Sequence, residues 1–517
     1  MALQNTPTAF RKVRPLPPLL QLYADRNPAI QPFITDFPDF QSIEKQVGLK
    51  SASYSAEMRS LLLTTLRAQT GAKATASQAK NLELLKDSNT FSVSCGHQLN
   101  LAGGPVYMLY KILTVIKLAD ILNQKFPQYH FVPIHWLASE DHDLDEVKSV
   151  QFFGQKVDFQ VDQTGAVGRM NTNGLSTQME AIRDFPAWMS AAYSGDKTLT
   201  EATRVWLRHT FGDRGLLILD ADVPELKKAF HDLALRELTQ PWVEKKVLEQ
   251  TGKLEKAGLK SQIHPRPINL FYLTDSERLR LEEKDGKIQT VEGKYSWGKE
   301  EAIQHFNKNP QELSPNAAFR PLYSQVLLPD VAFIGGPAEV AYWLQLGTIF
   351  EEAKIPMPLL LPRFSAVYVN AGLTKKMEKL GLTPEDLLKE DHELKKEASG
   401  ISTELALPNL ERVYSGLLAF AQQVDPTLVP MAKGELTKVE KMVEGIQKRI
   451  VKAAENKNEQ QITQILNLVR KLFPEGGLQE RSEGWLTFVV NDPDWLNKIY
   501  DAIDPLDLRF SILEDRA

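Results

Sequence analysis

A single cysteine, Cys95, occurs in 517 residues. No intrachain disulfide can form, and a thiolate-rich zinc or iron–sulfur site is excluded on ligand count. Long apolar runs are missing as well. No stretch approaches the roughly 20 residues that a membrane helix needs, and the opening MALQNTPTAFRKVRPLPPLL has no signal-peptide core. Cationic excess is absent too: 61 Lys and Arg stand against 66 Asp and Glu, a formal charge of −5. That balance argues against a nucleic-acid coat, because phosphates demand clustered positive charge. These absences lead to the expectation of a reduced, cytoplasmic protein with neither nucleic acid nor membrane as partner.

What is present reads as an α/β protein of about three units by length. FSVSC (91–95) is a short apolar strand, followed by the loop GHQLNLAGGP. Next, VYMLYKILTVIKLADILN (106–123) spaces Met108, Ile112, Val115, Ile116, Ala119 and Leu122 by threes and fours. That spacing predicts a striped helix, with Pro105 suited to its first turn. FVPIHWLA (131–138) predicts a second buried strand. A strand–helix–strand unit with this crossover is parallel and right-handed, so both strands end on one edge of the sheet. Ligands bind at that edge in open α/β sheets. GHQLN and SEDHD are therefore expected to face one crevice.

GLLILDAD (215–222), VAFIGGP and PLLLPRF (358–364) predict further strands. The expected organisation is a parallel-sheet core over 1–372, a helical coiled-coil region over 373–470, and a segment over 471–517 returning to the core. Residues 223–300, mixed and charged, read as a helical and partly irregular insertion. Leu436, Val439, Val443, Ile446 and Ile450 keep heptad spacing, whereas Ile462, Leu466, Val469 and Phe473 follow another phase. A turn or stutter within 454–460 and a helical hairpin account for the change.

The acidic stretch HWLASEDHDLDEV holds the strongest chemical signal. Asp143 and Glu146 have the spacing of a capping pair, and Asp145 suits a helix N-terminus. Glu140, Asp141 and His142 have no such excuse and stand as acid–base candidates. His135 and His142 do not form an H-E-x-x-H pair. Carboxylates beside one histidine suit Mg²⁺ with its own waters better than an all-protein cage, so no structural metal is expected.

The loop ahead of the helix offers His97, Gln98 and Asn100 with the backbone of Gly96, Gly103 and Gly104, a setting for phosphate or carboxylate. A plain glycine-facilitated turn explains it equally well, since no complete phosphate-binding fingerprint is present. Gly335 and Gly336 repeat the device before a second apolar helix. Cys95, in an apolar strand, reads as buried and inert. Asn316, Arg320, Tyr323, Gln325 and Glu339 are candidates for a pocket wall, and Arg320 or Arg363 suits a bidentate grip on an anion.

Four blocks carry a resemblance: GHQLNLAGGPVYMLYKILTVIKLA, HWLASEDHDLDEV, LSPNAAFRPLYSQVLLPDVAFIGGPAEVAYWLQL and GLQERSEGW. Together they resemble the bacillithiol biosynthesis cysteine-adding enzymes, across nearly the whole chain. The resemblance implies a Rossmann-like core related to class I aminoacyl-tRNA synthetases, with connecting insertions and a coiled coil that makes a homodimer. It also implies the last step of bacillithiol synthesis, in which cysteine is joined to glucosaminyl malate. GHQ (96–98) stands where such folds place H-I-G-H, but no K-M-S-K-S loop is visible, nor the Cys/His cluster that would hold a cysteine thiol on zinc.

The expected reaction is an ATP-dependent amide ligation, with ATP or ADP as the nucleotide and Mg²⁺ as its companion. His97, Gln98 and the glycines would meet phosphate, Glu140, Asp141 or His142 would act on the amine, and Arg320 or Arg363 would hold the malate. Two alternatives stand beside it: a metal-dependent hydrolase using the same acidic edge, and a non-catalytic assembly factor docking through its coiled coil.

Overall fold

The computed structural model describes residues 3–13, 16–400 and 410–516. Five short strands form its central sheet: β1 (Thr90–His97), β2 (His130–Leu137), β3 (Leu217–Asp220), β4 (Asp330–Gly335) and β5 (Leu359–Pro362). They are arranged β5-β4-β1-β2-β3 and every pairing is parallel. Nearly every residue in them is buried, as expected of strands covered on both faces. The order reverses between β1 and β4, which makes the edge beyond Gly96 and Gly335 the topological switch point. Register places Gly96 opposite Trp136 and His97 opposite Leu137, so the loops after β1 and β2 leave the sheet side by side. The Rossmann-like parallel core is thus present.

Helix α1 (Val106–Lys125) crosses from β1 to β2. It is apolar on more than the expected stripe: Met108 through Ile116 are all buried, Lys111 included. Residues near the C-terminus of the same compact unit supply the extra cover. Val106 N–H donates to the Glu483 carbonyl at 2.9 Å, Tyr110 stacks with Trp495, and Tyr500 hydrogen-bonds Asp120. Pro105 lies one position earlier than expected, at the N-cap.

The insertion departs from its reading. Helices Pro224–Thr239 and Val243–Lys256 are followed by a five-stranded antiparallel sheet of Leu270–Leu273, Arg278–Lys284, Lys287–Thr290, Ser296–Gly298 and Leu313–Pro315. Its hairpin turns on Asp285 and Gly286, both at positive φ (52° and 74°). An Asp-Gly pair between alternating strands is a tight-turn signal that outweighs the high charge of the segment.

Contacts divide the chain into two compact units, one of residues 1–367 with 478–513 and the other of 368–477 with 514–517. In the second, Leu410–Val424 and Val429–Lys457 pack as a helical hairpin joined through 425–428, where the Asp425 side chain accepts from Thr427 N–H at 2.9 Å. The hairpin reverses there, and the break expected within 454–460 is present as well. Asn458 interrupts the long helix, and Glu459–Leu472 begins a new one. The second hydrophobic phase is buried on that helix within the unit, whereas Ile446 and Ile450 of the first phase are 51% and 45% exposed.

Candidate active site

Gln98, just past β1, reaches the loop that leaves β2. Its Nε2 donates to Asp141 Oδ2 at 3.0 Å and to Glu146 Oε2 at 2.6 Å. The turn after β1 and the acidic stretch after β2 therefore meet, although more than forty positions separate them. Each acid in the stretch has a separate cause. Asp143 caps the short helix Leu144–Val147, accepting from Glu146 N–H at 3.2 Å, and Asp145 pairs with Lys148. Glu146 holds Gln98 instead of completing a capping box. Glu140 is buried against the Lys227 ammonium, which also donates to the Leu313 carbonyl at 2.9 Å. Nearby, Asp222 takes a bidentate grip from Arg169 at 2.7 and 3.0 Å. The crowding is tolerable because cations from distant elements neutralise it.

A cavity of about 860 Å³ opens beyond these residues. Glu140, Asp141 and His142 form one wall, with Asn316 and Arg320 beside them. The insertion supplies the other wall, with Arg266, Arg278 and Arg280 on it. Arg278 lies between the walls: its guanidinium donates to His142 Nδ1 at 3.1 Å and to the Pro315 carbonyl at 3.0 Å, over the Phe271 ring.

The protonation states follow from these neighbours. Burial pushes the Asp141 carboxyl upward, but Arg278, the Gln98 amide and Arg320 outweigh it and hold Asp141 below the usual range. Burial wins at Glu140, whose pKa is raised despite Lys227. His142 is lowered by burial and by Arg278, so its ring is neutral with Nδ1 already accepting a bond. At Arg320 burial lowers the pKa, while Tyr342 and Asp141 more than restore it. Burial, with Lys111, Arg363 and Arg320 close by, pushes His97 down to about 3. Its Nδ1 lies 3.2 Å from the Gln98 carbonyl, which can only accept, so the neutral ring spends its one N–H there. His97 is thus uncharged, and the positive charge at the cavity lies on Arg266, Arg278, Arg280 and Arg320.

Other expected site residues lie apart from this cavity. Arg363 is buried in an ion pair with Glu480 (2.6 Å) and bonds the Phe364 carbonyl, so its grip is internal. Gly103 has φ +80°, and a Cβ there would stand 2.4 Å from Trp485 Nε1, which itself donates to the Gly103 carbonyl at 3.0 Å. A Cβ on Gly104 would collide with the Asn100 side chain at 2.6 Å. Both glycines are explained by packing.

Gly336 N–H donates to Glu339 Oε2 at 2.8 Å, and the same oxygen receives Lys111. Lys111 also donates to the Gly96 carbonyl at 3.0 Å, which ties the β1 edge to the loop after β4. Gly335 is packed closely against Val340 and Glu339, with contacts of 3.2 and 3.3 Å awaiting a Cβ. Tyr323 and Gln325 are buried, bonding the Ala221 carbonyl and Asp330. Asn316 caps its own turn, accepting from Ala318 and Phe319, while its face still borders the cavity.

Burial pushes the Cys95 thiol up to about 12, with Sγ 3.3 Å from His135 Nδ1. Such a thiol is inert. Among the described residues, no group of three His, Cys, Asp or Glu side chains is placed to hold a metal ion.

Residues 4–364 match the N-terminal Rossmann-like domain of bacillithiol biosynthesis BshC, and residues 366–514 match its C-terminal coiled-coil domain. The chain belongs to the bacillithiol biosynthesis BshC family. Its relatives include a Cytophaga hutchinsonii protein, 35% identical with 93% of this chain and 94% of the relative covered. Another, from Flavobacterium psychrophilum, is 34% identical over 95% and 96%. A third, from Bacillus cytotoxicus, is 28% identical over 78% and 81%. All three carry the name "Putative cysteine ligase BshC". The resemblance read from the four sequence blocks is therefore correct at the level of the family.

Proposed function

We propose that the protein joins cysteine to the amine of glucosaminyl malate, the last step of bacillithiol synthesis, after activating the cysteine carboxylate with ATP. In the first half-reaction a carboxylate oxygen attacks the α-phosphorus and pyrophosphate leaves. In the second, the amine attacks the carbonyl carbon, AMP leaves, and the surplus amine proton passes to Asp141. The arginine wall suits the first step, since guanidinium groups fixed in a cavity stabilise developing phosphate charge. Asp141 suits the second because it stays ionised and borders the same space. Its negative charge also draws the ammonium into place before that proton leaves. Mg²⁺ would travel with the nucleotide phosphates, as it usually does.

The observation that carries this reading is the Gln98–Asp141 bridge beside a cavity bearing Arg266, Arg278, Arg280 and Arg320. A metal-dependent hydrolase is less well supported, because Glu140 and Asp222 already have Lys227 and Arg169 as counter-charges. The apolar stripe of the hairpin supports a homodimer in addition to catalysis. No helix among the described residues is long and apolar enough to cross a membrane. Dependence on ATP fits a cytoplasmic setting. The test is to incubate the protein with cysteine, glucosaminyl malate and Mg-ATP and to look for bacillithiol and AMP by mass spectrometry. Bacillithiol with stoichiometric AMP is expected; its absence from folded protein that binds nucleotide overturns the ligase.

A further inference from the structure

Two of the residues expected at the site, Gln98 and Asn100, do not border the large cavity. They line a second one of about 440 Å³, on the far side of the Gln98–Asp141 bond. Its surface is made for a different guest. Asn100 is 5% exposed, yet among the described residues its amide Nδ2 donates only to the Met108 thioether, 4.0 Å away. Such a buried amide awaits hydrogen-bonding partners. Tyr107 offers an aromatic face. Arg481 lies over that ring, 5.5 Å from its centroid, and meets no carboxylate among the described residues. Lys156 stands on the same rim, shared with Asp158 at 2.8 Å. Glu146, which accepts from Gln98, lines the same cavity.

We propose that this second cavity binds the acceptor of the reaction, a hydroxylated amine that also carries carboxylates. Its carboxylates face Arg481 and Lys156, its hydroxyls face Asn100 and the tyrosine ring, and its ammonium faces Glu146. The inference rests on the ligase reading for the acceptor's identity. Gln98 is then the door between acceptor and activated acyl group. Its Nε2 hydrogens are divided between Asp141 on one side and Glu146 on the other. An arriving ammonium competes for Glu146 as a charged donor against a neutral one, and charge-assisted bonds are the stronger. Released from Glu146, Gln98 can swing aside and open the amine's path to Asp141. Donor and acceptor thus occupy separate chambers and meet only when both are filled.

The experiment uses the full chain. Glucosaminyl malate is titrated calorimetrically, without nucleotide, into the wild type, Arg481→Glu and Lys156→Glu, and KM is measured for each substrate. Each substitution should weaken acceptor binding and raise its KM by about tenfold or more, while KM for ATP moves less than about twofold. Arg280→Glu, on the wall of the large cavity, should do the reverse. Should Arg481→Glu and Lys156→Glu leave the acceptor KM and affinity unchanged, or weaken ATP instead, the assignment is wrong even if bacillithiol is made. Should the acceptor bind through Arg481 while no bacillithiol forms, the ligase reading falls and the second binding site stands.

Discussion

Asp141 keeps its charge through Arg278, the Gln98 amide and Arg320, all of which act against its burial. Replacing it by asparagine preserves shape and removes the charge. Asp141→Asn should lower kcat/KM by about 10²–10⁴-fold with the fold intact, measured by steady-state bacillithiol formation. The sign of the pH dependence follows. A lowered pKa keeps the carboxylate ionised below the ordinary value of about 3.9, so its limb of the kcat/KM profile lies beneath that value. Arg278→Ala removes the largest cause of the lowering, and the limb should move to higher pH. An unmoved limb would show that another group is the proton acceptor. Arg363 makes the contrasting case. Because it and Glu480 are both fully buried, Arg363→Ala should cost about 3–5 kcal/mol in chemical denaturation, since Glu480 loses its counter-ion. The acids of this site were legible because they follow an apolar strand. Their cations were not: Lys111 and Lys227 look like ordinary helix-surface residues, and Arg278 lies in a segment read as irregular.

At the scale of elements, the entry to α1 shows a motif whose glycines are accounted for by packing alone. The Gly-Gly-Pro run does lead into the helix. Its glycines, however, admit the Trp485 indole and the Asn100 side chain, and Val106 N–H is satisfied by Glu483. Gly103→Ala combines a positive φ with overpacking against Trp485. It should destabilise the fold by about 1–3 kcal/mol, seen as a lower denaturation midpoint. A phosphate-binding role would instead predict weaker nucleotide binding with stability unchanged. Buried parallel strands announced themselves through short, largely apolar runs, with Ser92 and Ser94 interrupting the one in β1, so all five of the central sheet were legible. The antiparallel insertion was not, because half-exposed strands such as RLRLEEK carry as much charge as a surface helix. The alternation of Leu279 and Leu281 with charged residues, followed by Asp285-Gly286, was the available clue.

For the molecule as a whole, the hairpin leaves an unusual amount of apolar surface open. Val413, Leu417, Phe420 and Val424 on one helix, and Met442, Ile446 and Ile450 on the other, are each 45–65% exposed. A single such residue is commonplace, but a continuous stripe in water marks an interface. Heptad spacing gives that stripe the geometry of a coiled-coil seam, which a second copy of the chain can complete. The proposed homodimer should therefore depend on it. Charges placed at Phe420 and Ile446, as Phe420→Lys with Ile446→Lys, cannot be buried without a large desolvation cost. The double variant should sediment as a monomer where the wild type sediments as a dimer. Both proposed substrate cavities lie among residues of the first unit, so turnover per chain should survive the loss of the dimer. A monomeric variant that is folded yet inactive would show that the second copy contributes to the site.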